Sequence, residues 1–254
     1  MRHLLHPRRD IETSPPRAPS FVADEQEARA IELETIGWTN KAHRVRTCAA
    51  PGPLHACRCK QRVCPLCALN TSERYAQRLL HRSSRMTDPM VVLVTCPSTG
   101  ICRLDRAFSS FRRALVLLRR RKCFRSVTSG AGALEPRLSS DGMRWSLHAH
   151  LAVDRAGAEL DNDAIADAWR KLTRGRGAWL VEQDDRLRSP QRFALYASKR
   201  DSWCPDPETM SVGALEQLFA GTKGRQLVID WGQPHAQRAS EQPIAGAGIA
   251  SHRL

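Results

Sequence analysis

The stretch RWSLHAHLAVD, residues 144–154, constrains the fold of this chain more than any other. Its side chains alternate strictly, so in an extended strand Trp145, Leu147, Ala149, Leu151 and Val153 make one apolar face. Arg144, Ser146, His148, His150 and Asp154 share the opposite face. A strand of this kind needs a sheet to pair with and a layer to cover its apolar side. An amphipathic helix is legible nearby. Leu104, Phe108, Phe111, Leu115 and Leu118 recur at spacings of three and four with arginines between them.

Other elements follow from period and punctuation. MVVLVTC, from Met90, is a continuous β-branched run that suits a strand covered on both faces. RSVTSGAGALE reads as a glycine-containing strand, with PRLSSDGMR supplying turn residues before the alternating strand. DNDAIADAWRKL is a helix with an acidic first turn, and AWLVEQ is a short strand. SPQRFALYASKR is a helix with Ser189 at the N-cap and Pro190 at its first position. LVIDW adds a further strand. The order β-α-β-β-α-β-α predicts an α+β fold with a ferredoxin-like, split βαβ antiparallel sheet and one extra helix. Upstream, ADEQEARAIELETIGW predicts a helix whose apolar contacts are Ile31, Leu33 and Ile36, and a second helix is expected from about Leu66 to Arg85.

Charge and cysteine usage narrow the function. Lys+Arg 40 against Asp+Glu 26 gives a net charge of +14, the footprint expected of a nucleic-acid binder, although a merely soluble basic protein has the same composition. No apolar run reaches the roughly 18 residues of a membrane helix. The basic N-terminus lacks the apolar core of a secretory signal, so a membrane partner is not expected. Five of the nine cysteines fall between Cys48 and Cys67, which suits a reduced cytoplasm and a metal cluster better than a disulfide framework. Cys59, Cys64 and Cys67, with Cys48 or Cys57 as fourth ligand and His55 as a weaker substitute, have spacings that converge on a structural, tetrahedral Zn²⁺. On the helix that follows, Arg74, Arg78, Arg82 and Arg85 form a stripe that either tracks DNA phosphates or is a solvated face.

The chemistry-bearing candidates are few. His148 and His150 point the same way, two residues apart, and can share one divalent ion. Tyr196 is one of only two tyrosines, with Tyr75. Lys199, three residues later on the same helical face, can neutralise a phosphate and favour the phenolate. The plainer alternative is a tyrosine packed on the sheet beside a solvated lysine.

The motifs VVLVT, LHAHL and YASK, in this order, resemble the three motifs of the HUH endonucleases, and most of all those of bacterial plasmid rolling-circle replication initiators. CKQRVCPLC, GALE and TKGRQLVIDWG are similar to further segments of that family, so the resemblance runs from about Cys48 to Gly232. It implies that His148 and His150 hold Mg²⁺ or Mn²⁺, which polarises the scissile phosphate. It implies also that Tyr196 attacks that phosphate, stays joined to its 5′ side and releases a 3′-hydroxyl for a polymerase. Glu135 is the candidate third ligand; as an alternative it is a surface carboxylate at a strand end. Partners on this reading are single-stranded or hairpin origin DNA, with a host helicase and polymerase. An HUH-type transposase and a non-catalytic, zinc-dependent DNA-binding protein are the competing readings. Two departures stand out: Ser146 where many relatives have another histidine, and Arg192 where some have a glutamate that activates water at termination. The expected organisation is a disordered basic segment 1–23, a helical, cysteine-rich zinc module 24–87, an HUH nuclease domain 88–232 and a disordered tail 233–254.

Overall fold

A computed structural model describes residues 19–49, 59–61, 63–100, 103–139, 142–199 and 210–232. The segment 1–18 and the tail 233–254, expected to be disordered, lie outside the described residues. Residues 19–23, expected in the disordered segment, belong to the first helix instead.

The described chain is α+β. Three helices come first: α1 (Pro19–Thr35), α2 (Thr39–Arg46) and α3 (Pro65–Ser83). Then follow β1 (Pro89–Gly100), α4 (Leu104–Leu118), β2 (Ser129–Leu138), β3 (Arg144–Asp154), α5 (Asn162–Leu172), β4 (Trp179–Val181), α6 (Pro190–Ala197), α7 (Val212–Thr222) and β5 (Val228–Trp231). The five strands form one open sheet in the order β4-β1-β3-β2-β5, with every neighbouring pair antiparallel. The first four strands stand in an order compatible with the expected split βαβ arrangement.

Alternation along β3 sorts the two faces. Trp145, Leu147, Ala149 and Leu151 are completely buried on the side that α4 covers, with α5 and α7 packed beside it. Phe111 of α4 meets Trp169 of α5 edge-on at 5.3 Å, and the Trp169 indole N–H donates to the Thr95 carbonyl at 2.8 Å. All five apolar residues predicted for α4 are buried. On the other face lie α6 and α3, which also pack against each other.

Three local expectations are corrected. Ile31 is 54% exposed while Leu33 is fully buried, so α1 docks through a narrower stripe than its apolar residues suggest. Ser189 and Pro190 do occupy the N-cap and first turn of α6, but the Ser189 hydroxyl makes no capping bond and turns to Gln191 at 3.0 Å instead. The turn residues begin later than expected, because Pro136, Arg137 and Leu138 continue β2.

The glycines of β2 are there for clearance. A Cβ built on Gly132 falls on the His150 carbonyl oxygen and on Leu151, and one built on Gly130 falls within the Trp231 ring. Gly132→Ala is therefore expected to destabilise by about 1–3 kcal/mol, as overpacking in a rigid core does. Gly213→Ala, on α7 with open space around it, should instead gain up to about 1 kcal/mol of helix propensity. Thermal melts of the two variants should move in opposite directions; equal shifts would remove the clearance argument.

Candidate functional site

β3 carries His148 and His150 onto the α3/α6 face, and register places Glu135 of β2 directly opposite His148. Exposure rises along this face towards the Arg144 end. Asp154 is fully buried, His150 is 4% exposed, His148 and Ser146 are half-buried and Arg144 is exposed. The closed end is structural: the Asp154 carboxylate accepts backbone N–H bonds from Thr87, Asp88 and Ala156 at 3.3, 3.0 and 3.1 Å.

α6 brings Tyr196 over this row. Its ring meets the His150 imidazole edge-on, with centroids 4.6 Å apart and planes at 79°. Lys199, just beyond α6, places Nζ 3.3 Å from Glu135 Oε1 and 4.8 Å from the centre of the Tyr196 ring. Arg137 reaches the other Glu135 oxygen at 3.3 Å. His150 stands between two carboxylates: Nε2 is 3.9 Å from Glu135 Oε2 and Nδ1 is 3.5 Å from Glu182 Oε1. Both its nitrogens are buried without a hydrogen bond. His148 Nε2 lies 3.2 Å from the Ser146 hydroxyl.

Sequence reasoning misses Glu182. It follows β4 and extends the ladder, its N–H donating to the Val91 carbonyl at 2.9 Å. Alternation in AWLVEQ does put it on the face opposite Trp179 and Val181. Only the strand order tells that this face holds the histidines.

Electrostatics follow from burial. Burial pushes the His148 imidazole down to about 4, helped by the Arg137 charge, so this ring is neutral and available as a donor at physiological pH. Burial also raises the Tyr196 phenol, and the Glu135 and Glu182 charges add to it. Lys199 pairs with Glu135, and burial and the two carboxylates hold the phenol protonated. Glu135 is ionised: burial works against its charge, but Lys199, Arg137 and His150 outweigh it and hold its carboxyl below the ordinary range. It is 8% exposed, not a surface carboxylate.

The cysteines form a second centre. Cys48, Cys59, Cys64 and Cys67 are all buried, with ligand atoms within 4.8 Å of one another, and can hold a metal such as zinc. Among the described residues this is the one set of three or more such donors that converges so closely. The backbone builds it: Cys48 follows α2, Lys60 takes a left-handed φ of 57°, Cys64 is the N-cap of α3 and Cys67 lies in its first turn. The Cys59 N–H donates to Cys48 Sγ at 3.3 Å, and the Gln26 amide reaches Cys64 Sγ at 3.9 Å. Crowded thiols cannot all ionise without a cation among them. Hydrogen bonds from Cys59 and Cys64 favour the Cys67 thiolate, while the bonds Cys64 makes to Cys59 and Cys67, together with burial, hold Cys64 protonated. Cys57 and His55, the alternative ligands, lie outside the described residues.

The arginine stripe of α3 divides. Arg78 grips Asp230 of β5 through two bonds, at 2.9 and 3.0 Å, and Arg82 joins the same carboxylate at 3.4 Å and the Gly232 carbonyl at 3.3 Å. These two tie α3 to the sheet edge. Arg74 is exposed and Arg85 half-buried. A Ser72 hydroxyl bond to the Ser198 carbonyl joins α3 to the residue after α6, so the helix that starts at Cys64 buttresses the one that carries Tyr196. No helix among the described residues is long and apolar enough to cross a membrane.

No protein-family model, curated protein or solved structure matches this chain.

Proposed function

We propose that this protein nicks and rejoins single-stranded DNA through Tyr196, in the manner of an HUH-type initiator of rolling-circle replication acting at an origin hairpin. One observation carries the reading: the tyrosine of one helix rests on the second histidine of the H-x-H strand, with two carboxylates and a lysine around them. Buried imidazole nitrogens without a bond, 3.9 Å from an ionised carboxylate, fit a divalent cation. His148, His150 and Glu135 would hold Mg²⁺ or Mn²⁺, and the ion would supply Lewis-acid polarisation of a phosphate oxygen. Glu182, beside His150 Nδ1, orients that ring as carboxylates commonly orient ligating histidines.

The covalent step balances simply. Tyr196 Oη forms a bond to phosphorus, the bond from phosphorus to the 3′ oxygen breaks, the phenolic proton passes to water and the 3′ oxygen takes up a proton. A 5′-phosphotyrosine keeps the phosphodiester energy for resealing. Lys199, paired with Glu135 and 4.8 Å from the centre of the Tyr196 ring, is close enough to meet a phosphate delivered to Tyr196. The cysteine centre holds a structural Zn²⁺ on this reading, since four protein thiolates leave no position for substrate.

The test is a covalent adduct. Protein incubated with Mn²⁺ and labelled single-stranded DNA from beside its own gene should give a DNA-shifted band on a denaturing protein gel. Its rate should rise with pH from about 6.5 to 8.5, approaching tenfold per unit. The sign follows from the shifts: the phenol is raised and must lose a proton, whereas His148 is already neutral and Glu135 already ionised throughout that range. Binding without any adduct would leave a zinc-dependent DNA-binding protein as the better account.

A further inference from the structure

A strongly cationic surface lies away from both the α3 stripe and the tyrosine site. Between Asp105 and Glu135 the chain carries eight basic residues and no acid. Five of them, Arg119, Arg120, Arg121, Lys122 and Arg125, are exposed on the turn that follows α4. None forms an ion pair among the described residues.

That turn is not a loose tail. Backbone bonds run through it without a break: Arg119 to Leu115, Arg120 to Leu117, Arg121 to Leu118, Phe124 to Arg121, Arg125 to Lys122 and Val127 to Phe124, all between 2.9 and 3.2 Å. Phe124 pins it from beneath, 1% exposed, against Trp179 at 5.7 Å and Trp231 at 6.4 Å. Beside it a concave pocket of about 300 Å³ is lined by Arg119, Arg120, Thr128 and Trp231 among others, with the Arg119 guanidinium 5.1 Å from the Trp231 ring centre. Five like charges held by a rigid turn repel one another and call for a polyanion. Burial in the core does not account for them, and neither does helix capping, for which one or two cations at the C-terminus of α4 would do.

Place decides what the polyanion is doing. Asp230 turns to α3, so its neighbour Trp231 and the turn beside it lie on the α4 face, opposite Tyr196. Gly130, paired with Trp231, and Glu135 are five residues apart on β2, about 17 Å at 3.3 Å per residue. The turn is therefore on the order of 20 Å from the nicking site, about six base steps at 3.4 Å.

We propose that the Arg119–Arg125 turn is a second DNA-binding surface, which holds backbone phosphates of DNA that has passed round the sheet edge from the Tyr196 site. The inference rests on the nicking reading for the identity of the polyanion and for its path from Tyr196. It is tested by fluorescence anisotropy without metal, using a labelled 40-nucleotide single strand, a 40-base-pair duplex and an RNA of the same sequence, each titrated over a range of salt. Arg120→Glu/Arg121→Glu/Lys122→Glu should weaken DNA binding at least about tenfold at 50 mM salt. It should also lower the slope of log K against log salt by about 2 to 3, close to one for each phosphate that is no longer neutralised. Lys171→Glu/Arg174→Glu/Arg176→Glu, three exposed residues with the same change in net charge, should cost no more than about threefold. Should charge reversal disturb folding, as judged by the melt, the corresponding triple alanine variant should still lower the slope. Equal losses in the two triple variants, an unchanged slope, or a larger loss for RNA than for DNA would overturn the proposal. Because anisotropy needs no cleavage, a protein that binds as expected but forms no adduct leaves the turn standing as a DNA-binding surface and removes the nicking reading together with the path from Tyr196.

Discussion

Tyr196→Phe should abolish the covalent DNA adduct and leave the protein folded and able to bind DNA. The substitution removes one oxygen and keeps the ring, so the edge contact with His150 at 4.6 Å survives. Tyr196 is half-buried and its hydroxyl has no hydrogen bond among the described residues, so stability should change by no more than about 1 kcal/mol. Phosphate contacts made by arginines and lysines are untouched, and binding should stay within about twofold. Loss of a nucleophile costs on the order of 10⁴ to 10⁶ in rate, because the remaining groups have nothing to transfer the phosphate to. Tyr75→Phe is the matched control. Tyr75 lies on α3, packed against the core, and the adduct should form at the wild-type rate. If Tyr75→Phe removes the adduct and Tyr196→Phe spares it, the assignment of the nucleophile fails, and with it the arrangement of the site.

Metal removal should have the second large effect. The protein as purified is expected to carry about one zinc per chain, released by mercury reagents and detected with a chromogenic chelator. Stripping it, or Cys64→Ser, should melt the segment from α1 through the start of α3. Four thiols buried side by side lose their reason to converge, and structural zinc is worth about 10–16 kcal/mol in small peptide sites, comparable with the whole net stability of a domain. Helical circular dichroism should fall sharply. The adduct should weaken with it, because α3 buttresses α6 through the Ser72–Ser198 bond and the packing of the two helices. Cys123→Ser, a half-buried thiol away from the cluster, should change neither metal content nor helicity. Wild-type protein with no zinc and an unaltered melt after chelation would end the metal assignment.

Much of the molecule is visible in one dimension wherever the physics is local. The alternation of RWSLHAHLAVD assigns its residues to two faces without any knowledge of neighbours, and the apolar period of residues 104–118 does the same for α4. Crowded cysteines announce a cluster because thiols at such spacings must meet, and Cys48, Cys59, Cys64 and Cys67 do meet. What escapes is set by long-range pairing. α2 and α7 carry no comparable signal: α2 is short and strongly polar, and α7 has a weak apolar period. Arg78 and Arg82 read as a phosphate-tracking stripe until β5 supplies Asp230 at a separation of about 150 residues.

The amino-acid sequence by itself determined which residues share a face of β3, the paired imidazoles and the apolar row behind them, but not the reach of α6, which ends at Ala197 and leaves Lys199 beyond the helix on which the sequence placed it. Side-chain period along an extended or helical backbone is a property of neighbouring residues, and it needs no partner. Only the tertiary structure decided which faces oppose each other. Strand order β4-β1-β3-β2-β5 set Glu182 against His150, Glu135 beneath Lys199 and the cationic turn on the far side of the sheet, because pairing register and layer packing are chosen by the whole core at once.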